Sequence, residues 1–216
     1  MTTIPGATAA SELCQLAGVY QPAIHPRRAV VQHKVDGIRC LYIGGHLVTR
    51  EGVHLEAAEH CRADLERLES AFGRRMFLDA EYEAGTFAQT LSAFRTAKPG
   101  RGVLHLFDAV PLEQWAAAGR TAPLSARMGM IEEVTSGLRL TTVHAMHDLG
   151  NGAATPDEVQ DLYADEIARG GEGLIIKCAD SPYYRGRAKT WLKLKPAEER
   201  TPSGKLRHPA KKETAR

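Results

Sequence analysis

What most constrains the fold of this chain is a series of short β-prone runs, at 29–33, 38–43, 46–49, 76–83, 103–110, 173–178 and 190–194, separated by glycine and polar turns. Gly44-Gly45 between two of them reads as the turn of a hairpin. Helical periodicity is confined to three places. Leu55, Ala58, Cys61, Leu65, Leu68 and Phe72 recur at three- and four-residue spacing, and Phe87, Leu91 and Phe94 mark a shorter helix. A third opens on the capping box Thr155-Pro156-Asp157-Glu158 and stops at Gly170-Gly171. Strands outnumber helices and are joined by hairpins. This predicts an α+β fold of mainly antiparallel sheets flanked by helices, not a doubly wound parallel sheet. The expected organisation is a lead-in at 1–28, one domain at 29–196 and a basic tail at 197–216.

Composition narrows the function less. Apolar residues make up 43% and charged residues 25% of the 216, as in an ordinary soluble domain. With 28 Lys and Arg against 26 Asp and Glu, net charge alone points to no nucleic-acid partner, so a basic surface has to come from local clustering. The four cysteines show no Cys-x-x-Cys pair and read as reduced thiols; His144 and His147 read as a surface pair without a third metal ligand. No run is long and apolar enough to span a bilayer and the N-terminus has no signal-like pattern, so a cytoplasmic protein is expected.

The chemistry begins at Lys34-Val35-Asp36-Gly37-Ile38-Arg39, directly after a strand. A lysine amine attacks phosphorus only when neutral, a form that neighbouring cations favour; Arg39 and a bound metal are the candidates here. Taken alone, the hexapeptide fits a hairpin turn with a solvated lysine equally well. Order decides more than any single match. Thr49-Arg50-Glu51-Gly52 follows, then Leu78-Asp79-Ala80-Glu81-Tyr82, Leu106-Phe107-Asp108-Ala109, Gly171-Glu172-Gly173-Leu174-Ile175-Ile176-Lys177 and Trp191-Leu192-Lys193-Leu194-Lys195-Pro196. Glu81 and Glu172 could hold Mg²⁺ or accept ribose hydroxyls. Lys193 and Lys195 share one strand face and, with Lys177, suit phosphate. Asp108 and Trp191 read as structural.

In this order, over 32–196, the six blocks resemble the covalent nucleotidyltransferases, and among them the ATP-dependent DNA ligases; Thr86-Phe87 to Arg95-Thr96 and Arg185-Gly186-Arg187 look like the short bacteriophage enzymes. The resemblance implies an ATP-grasp-like adenylation domain in which Lys34 takes AMP from ATP with Mg²⁺. It assigns Glu81 to ribose and metal, Glu172 to metal, Phe107 to the adenine ring, and Lys177 and Lys193 to phosphate. Gln32, Arg39 and Lys195 join these as nucleotide contacts, Arg50 is a ribose or DNA-phosphate contact, and Arg185, Arg187 and Lys189 are, with Arg50, the expected contacts to nicked double-stranded DNA. A monomer is expected. Two departures stand out: Gln32 occupies a position where many cellular ligases carry an acid, and only 20 residues follow Pro196, too few for the OB-fold that family members add there. Residues 201–209 nevertheless look like the closing motif of the phage-type enzymes. The rival readings are an RNA ligase or GTP-using capping enzyme, and a weakly active remnant that binds nucleotide or nicked DNA.

Overall fold

The computed structural model describes residues 13–97, 101–117 and 120–196, with the backbone of 199–200 and 206–207. Its core is two facing sheets. In the first, β1 (Gln15–Val19) runs parallel to β9 (Gly186–Leu194). The antiparallel partner of β9 is β8 (Leu174–Cys178), which pairs in turn with β2 (Ala29–His33). The second sheet has the order β4 (His46–Val48), β3 (Ile38–Ile43), β5 (Met76–Glu83), β6 (Val103–Pro111) and β7 (Val143–Ala145). Among the described strands only β1–β9 and β6–β7 are parallel, so the α+β, mainly antiparallel expectation holds.

Helices cover both outer faces. The second sheet packs Leu78, Tyr82, Leu104 and Leu106 against Leu65 and Leu68 of α1 (Arg62–Ala71) and Ile131 of α4 (Leu124–Ser136). The first packs Val31, Leu174, Ile176 and Leu192 against Val159 of α5 (Pro156–Ala168). Between the sheets lie Leu41, Phe77, Phe107, Tyr183 and Trp191. Two short helices, α2 (Phe87–Thr96) and α3 (Leu112–Ala116), complete the set.

Local chemistry explains most boundaries. Gly44 and Gly45 have φ of 58° and 89°, the positive pair that a two-residue hairpin turn requires between β3 and β4. At α5 the Thr155 hydroxyl accepts from the Glu158 amide while the Glu158 carboxylate accepts from the Thr155 amide at 2.7 Å. The periodic stretch from Leu55 starts differently from expectation: Glu56–Cys61 is a 3-10 turn, and only then does α1 begin. Helix α4 was invisible to periodicity because its apolar residues serve two clusters. Leu124 and Met128 pack with Val30 and Ala179, whereas Ile131 joins the α1 side.

The expected lead-in, 1–28, supplies β1, an integral strand of the first sheet. Within the expected tail, β10 (Glu199–Arg200) and β11 (Leu206–Arg207) pair antiparallel; the rest of 197–216 lies outside the described residues. No described helix is long and apolar enough to cross a membrane.

Asp108 is structural, as expected. The guanidinium of Arg127 grips it through two bonds of 2.7 and 2.8 Å, with both residues at 1% exposure or less. Removing one partner strands a buried charge, so Arg127→Met should cost about 3–5 kcal/mol in urea unfolding, whereas Asp108→Leu combined with Arg127→Met should cost less than the single change.

Candidate active site

Residues 34–37 are no hairpin turn. They carry the chain from β2 in one sheet to β3 in the other. The Lys34 amide donates to Gly173 O at 2.8 Å, extending the β2–β8 ladder by one bond and placing the lysine at the seam between the sheets. Gly37 is needed for space, because a Cβ there would sit 2.3 Å from the carbonyl oxygen of Tyr82 on β5. At this seam opens a cavity of about 490 Å³. It brings together eleven residues singled out from sequence: Gln32, Lys34, Arg39, Arg50, Glu81, Phe107, Glu172, Lys177, Arg187, Lys193 and Lys195. Cross-strand register ranks those on the first sheet. Lys177 pairs with Trp191, Ile175 with Lys193 and Gln32, and Lys34 lies beyond them next to Gly173.

At the lysine end, Lys34 Nζ donates to the carboxylate of Glu172. Glu81, on β5 directly across from Arg39, keeps some surface open to the cavity, but its carboxyl lies deep among protein atoms. Burial pushes it up to about 7, against the pull of Arg39 and Lys34, and the charge of Glu172 adds to the rise. Two carboxylates that repel each other beside a phosphate-sized space suit a divalent cation. No group of three or more metal-capable side chains converges among the described residues. The pair fits Mg²⁺ as Mg²⁺ is usually held, by one or two carboxylates together with substrate phosphates.

The far end is aromatic. Phe107 and Trp191 meet edge to face at 5.9 Å between ring centres. Lys177, 2% exposed, places Nζ 4.2 Å from the Trp191 ring centre and 4.6 Å from that of Phe107, and donates to Phe107 O at 3.2 Å. Burial pushes this ammonium down to about 7, even though Asp108 and Asp79 pull it up. Arg39 lines the cavity with its guanidinium chelated by Asp79 and set 4.6 Å from the Phe107 ring centre. Gln32 donates from Nε2 to Met146 O at 3.3 Å; its Oε1 is buried and has no hydrogen-bond partner among the described residues.

The expected DNA contacts separate. Arg50 and Arg187 line the cavity, whereas Arg185 stacks over Trp115 at 4.7 Å and Lys189 is exposed on β9, neither lining it. Sequence reasoning missed the walls supplied by Leu16 and Ala17 of β1, by Met146 and by Phe87. It also took Trp191, which both packs and faces the cavity, as packing alone. Asp79 carries no outward signal, since its role depends on burial beside Arg39. His144 packs edge-on against His105 at 6.2 Å, not with His147.

Two facing sheets around a lysine-bearing crossover define a nucleotidyltransferase domain. The family described as the ATP dependent DNA ligase domain matches residues 13–195, and the chain belongs to that family. A probable DNA ligase of Saccharopolyspora erythraea is 28% identical over 187 residues, covering 77% of this chain and 33% of that protein. One from Anaeromyxobacter sp. (strain K) is 33% identical over 127 residues, covering 58% and 20%. The chain thus spans a third or less of these curated relatives. The ATP-dependent DNA ligase of bacteriophage T7, solved in complex with ATP, superposes with a TM-score of 0.65 at 16% identity, over 89% of this chain and 70% of that one. That likeness establishes the fold.

The two shifted groups set opposite pH trends in stability. Glu81 titrates near 7 when folded, so its contribution is present below its ordinary value of 4.5 and is lost as pH rises through about 7. Lys177 is depressed, so its contribution is full above 10.5 and is lost as pH falls through about 7. Melting temperature measured from pH 7 to 8, below the range where the raised thiols of Cys14, Cys40 and Cys61 begin to oppose the trend, should therefore rise, and Lys177→Met should flatten that rise.

Proposed function

We propose that this domain catalyses the adenylation chemistry of DNA ligation. Lys34 Nζ attacks the α-phosphorus of ATP, the bond to the β-phosphate oxygen breaks, and pyrophosphate leaves with the electron pair while the amine loses a proton. AMP then passes from nitrogen to the 5′-phosphate of a nick, and the adjacent 3′-hydroxyl displaces it to seal the strand. The observation that carries this reading is the convergence on one cavity of a lysine ion-paired to Glu172, a second carboxylate and, at the opposite end, an aromatic wall. Mg²⁺ bound by Glu81 and Glu172 would supply neutralisation of phosphate charge.

ATP is favoured over GTP by the base end. The buried, unpartnered Gln32 Oε1 is an acceptor suited to the adenine 6-amino group, and guanine carries an acceptor oxygen at that position. Phe107 offers a face for stacking. Lys177, wedged between Phe107 and Trp191, is better placed for the base than for the triphosphate, while Lys193 and Lys195 lie nearer Lys34 and suit phosphate. Arg50 and Arg187 are then the cavity-rim cations available to nicked duplex DNA, with Arg185 and Lys189 extending the basic surface.

Incubation with Mg²⁺ and α-labelled ATP should yield an acid-labile lysyl-AMP. Both Lys34→Ala and Lys34→Arg should abolish it, the latter because a guanidinium stays protonated and is no nucleophile. Labelled GTP should give at least tenfold less. A label that persists in Lys34→Ala would overturn the assignment.

A further inference from the structure

A hydrogen-bonded pair, His33 half-exposed at the cavity and Glu166 buried behind it, engages the loop that carries Glu172. Glu166, near the end of α5, is 7% exposed, and its carboxylate accepts from His33 Nδ1 at 2.8 Å. His33 immediately precedes Lys34 and, by strand alternation, lies on the sheet face opposite Gln32, towards α5. The same carboxylate presses on the loop. A Cβ added to Gly171 would lie 2.0 Å from Glu166 Oε1, and the Gly171 amide donates to Glu166 O at 2.9 Å. Past Glu172, Gly173 has φ of 141° and room for no side chain, since a Cβ would sit 2.2 Å from Leu194 O. The loop is therefore bonded on one side to the Glu166 main-chain carbonyl, with the Glu166 carboxylate packed against Gly171, and abuts the end of β9 on the other. A carboxylate so buried is costly unless it is hydrogen-bonded, and His33 Nδ1 supplies that bond.

We infer that His33 and Glu166 are positioning residues for the adenylation step, a brace that fixes the Glu172 loop against the nucleophile strand. The pair spans the two segments whose tips meet in the Lys34–Glu172 contact, so it sets the separation of those tips. Gly171 is the third member, since only glycine leaves room for the carboxylate. Partners that orient the groups around a metal or a nucleophile typically change activity by about 10–100-fold when removed. This inference rests on the adenylation reading above.

The test compares His33→Ala, Glu166→Gln and Gly171→Ala with the wild-type chain. The side chain of His33 is 45% exposed, so its removal leaves the packed core intact, and Glu166→Gln keeps both shape and acceptor oxygen. Single-turnover lysyl-AMP formation should fall about 10–100-fold in His33→Ala and Gly171→Ala, with KM for ATP within about twofold, while Glu166→Gln recovers most of the rate. A second readout needs neither nucleotide nor metal. Acetylation of Lys34 by an amine-reactive reagent, followed by peptide mass spectrometry, should run several-fold faster in His33→Ala, because Glu172 no longer shields the ammonium. If the wild-type chain forms no lysyl-AMP, it is the adenylation reading that fails. If it does, and His33→Ala matches it in adenylation rate and in Lys34 acetylation, the brace is overturned.

Discussion

The carboxylate of Asp79 is the joint on which the two sheets meet. It lies on β5 with no exposed surface, chelates the Arg39 guanidinium and accepts from the Tyr183 hydroxyl at 2.6 Å. Tyr183 in turn accepts from the Gln15 amide at 2.9 Å, and Arg39 reaches Gln15 O at 3.3 Å. One buried acid thereby ties the second sheet to β1 of the first. Burial works against the charged form of Arg39, but the paired Asp79 carboxylate outweighs that cost and keeps the guanidinium charged. The chelated guanidinium lies over Phe107, so the aromatic end of the cavity inherits its position from that joint.

How much of this could be read in advance depended on whether the signal was local. Strand β5, the Gly44-Gly45 hairpin and the capped start of α5 are written in neighbouring residues, and each appears where its residues put it. Lys34, Glu81, Glu172 and Lys193 are far apart in the chain, yet the order of their blocks brought them to one list before any fold was known. What stayed hidden was set by tertiary burial. Strand β1 has no strong alternation because it is an edge strand with a register shift between Ala17 and Gly18. Helix α4 divides its apolar residues between two clusters, so no single stripe betrays it. Asp79 and Glu166 resemble any surface acid until the groups around them are seen.

Charge is distributed along the cavity in a graded way. Its lysine end combines a cation with two carboxylates, and its aromatic end keeps one ammonium in apolar surroundings, where that ammonium titrates near neutrality. A ligand with a flat uncharged ring and a polyanionic tail matches that gradient from end to end. The rival reading of a weakly active remnant has to explain why a buried lysine, an unfulfilled amide oxygen and a half-buried acid would persist together, since each is costly without a ligand.

The parallel pairing of β1 with β9 has a consequence for how the chain is made. The second sheet is drawn from the contiguous stretch between Ile38 and Ala145, whereas the first joins strands from the two ends of the domain, with Gln15 opposite Gly186 and Val19 opposite Lys193. During synthesis the inner sheet can assemble as it leaves the ribosome. β1 and β2 must wait for partners about 140 residues or more downstream, and closing so long a loop is slow. The seam holding Lys34 is thus the last part of the domain to close, so a nascent chain lacks a finished nucleotide cavity until β9 has emerged.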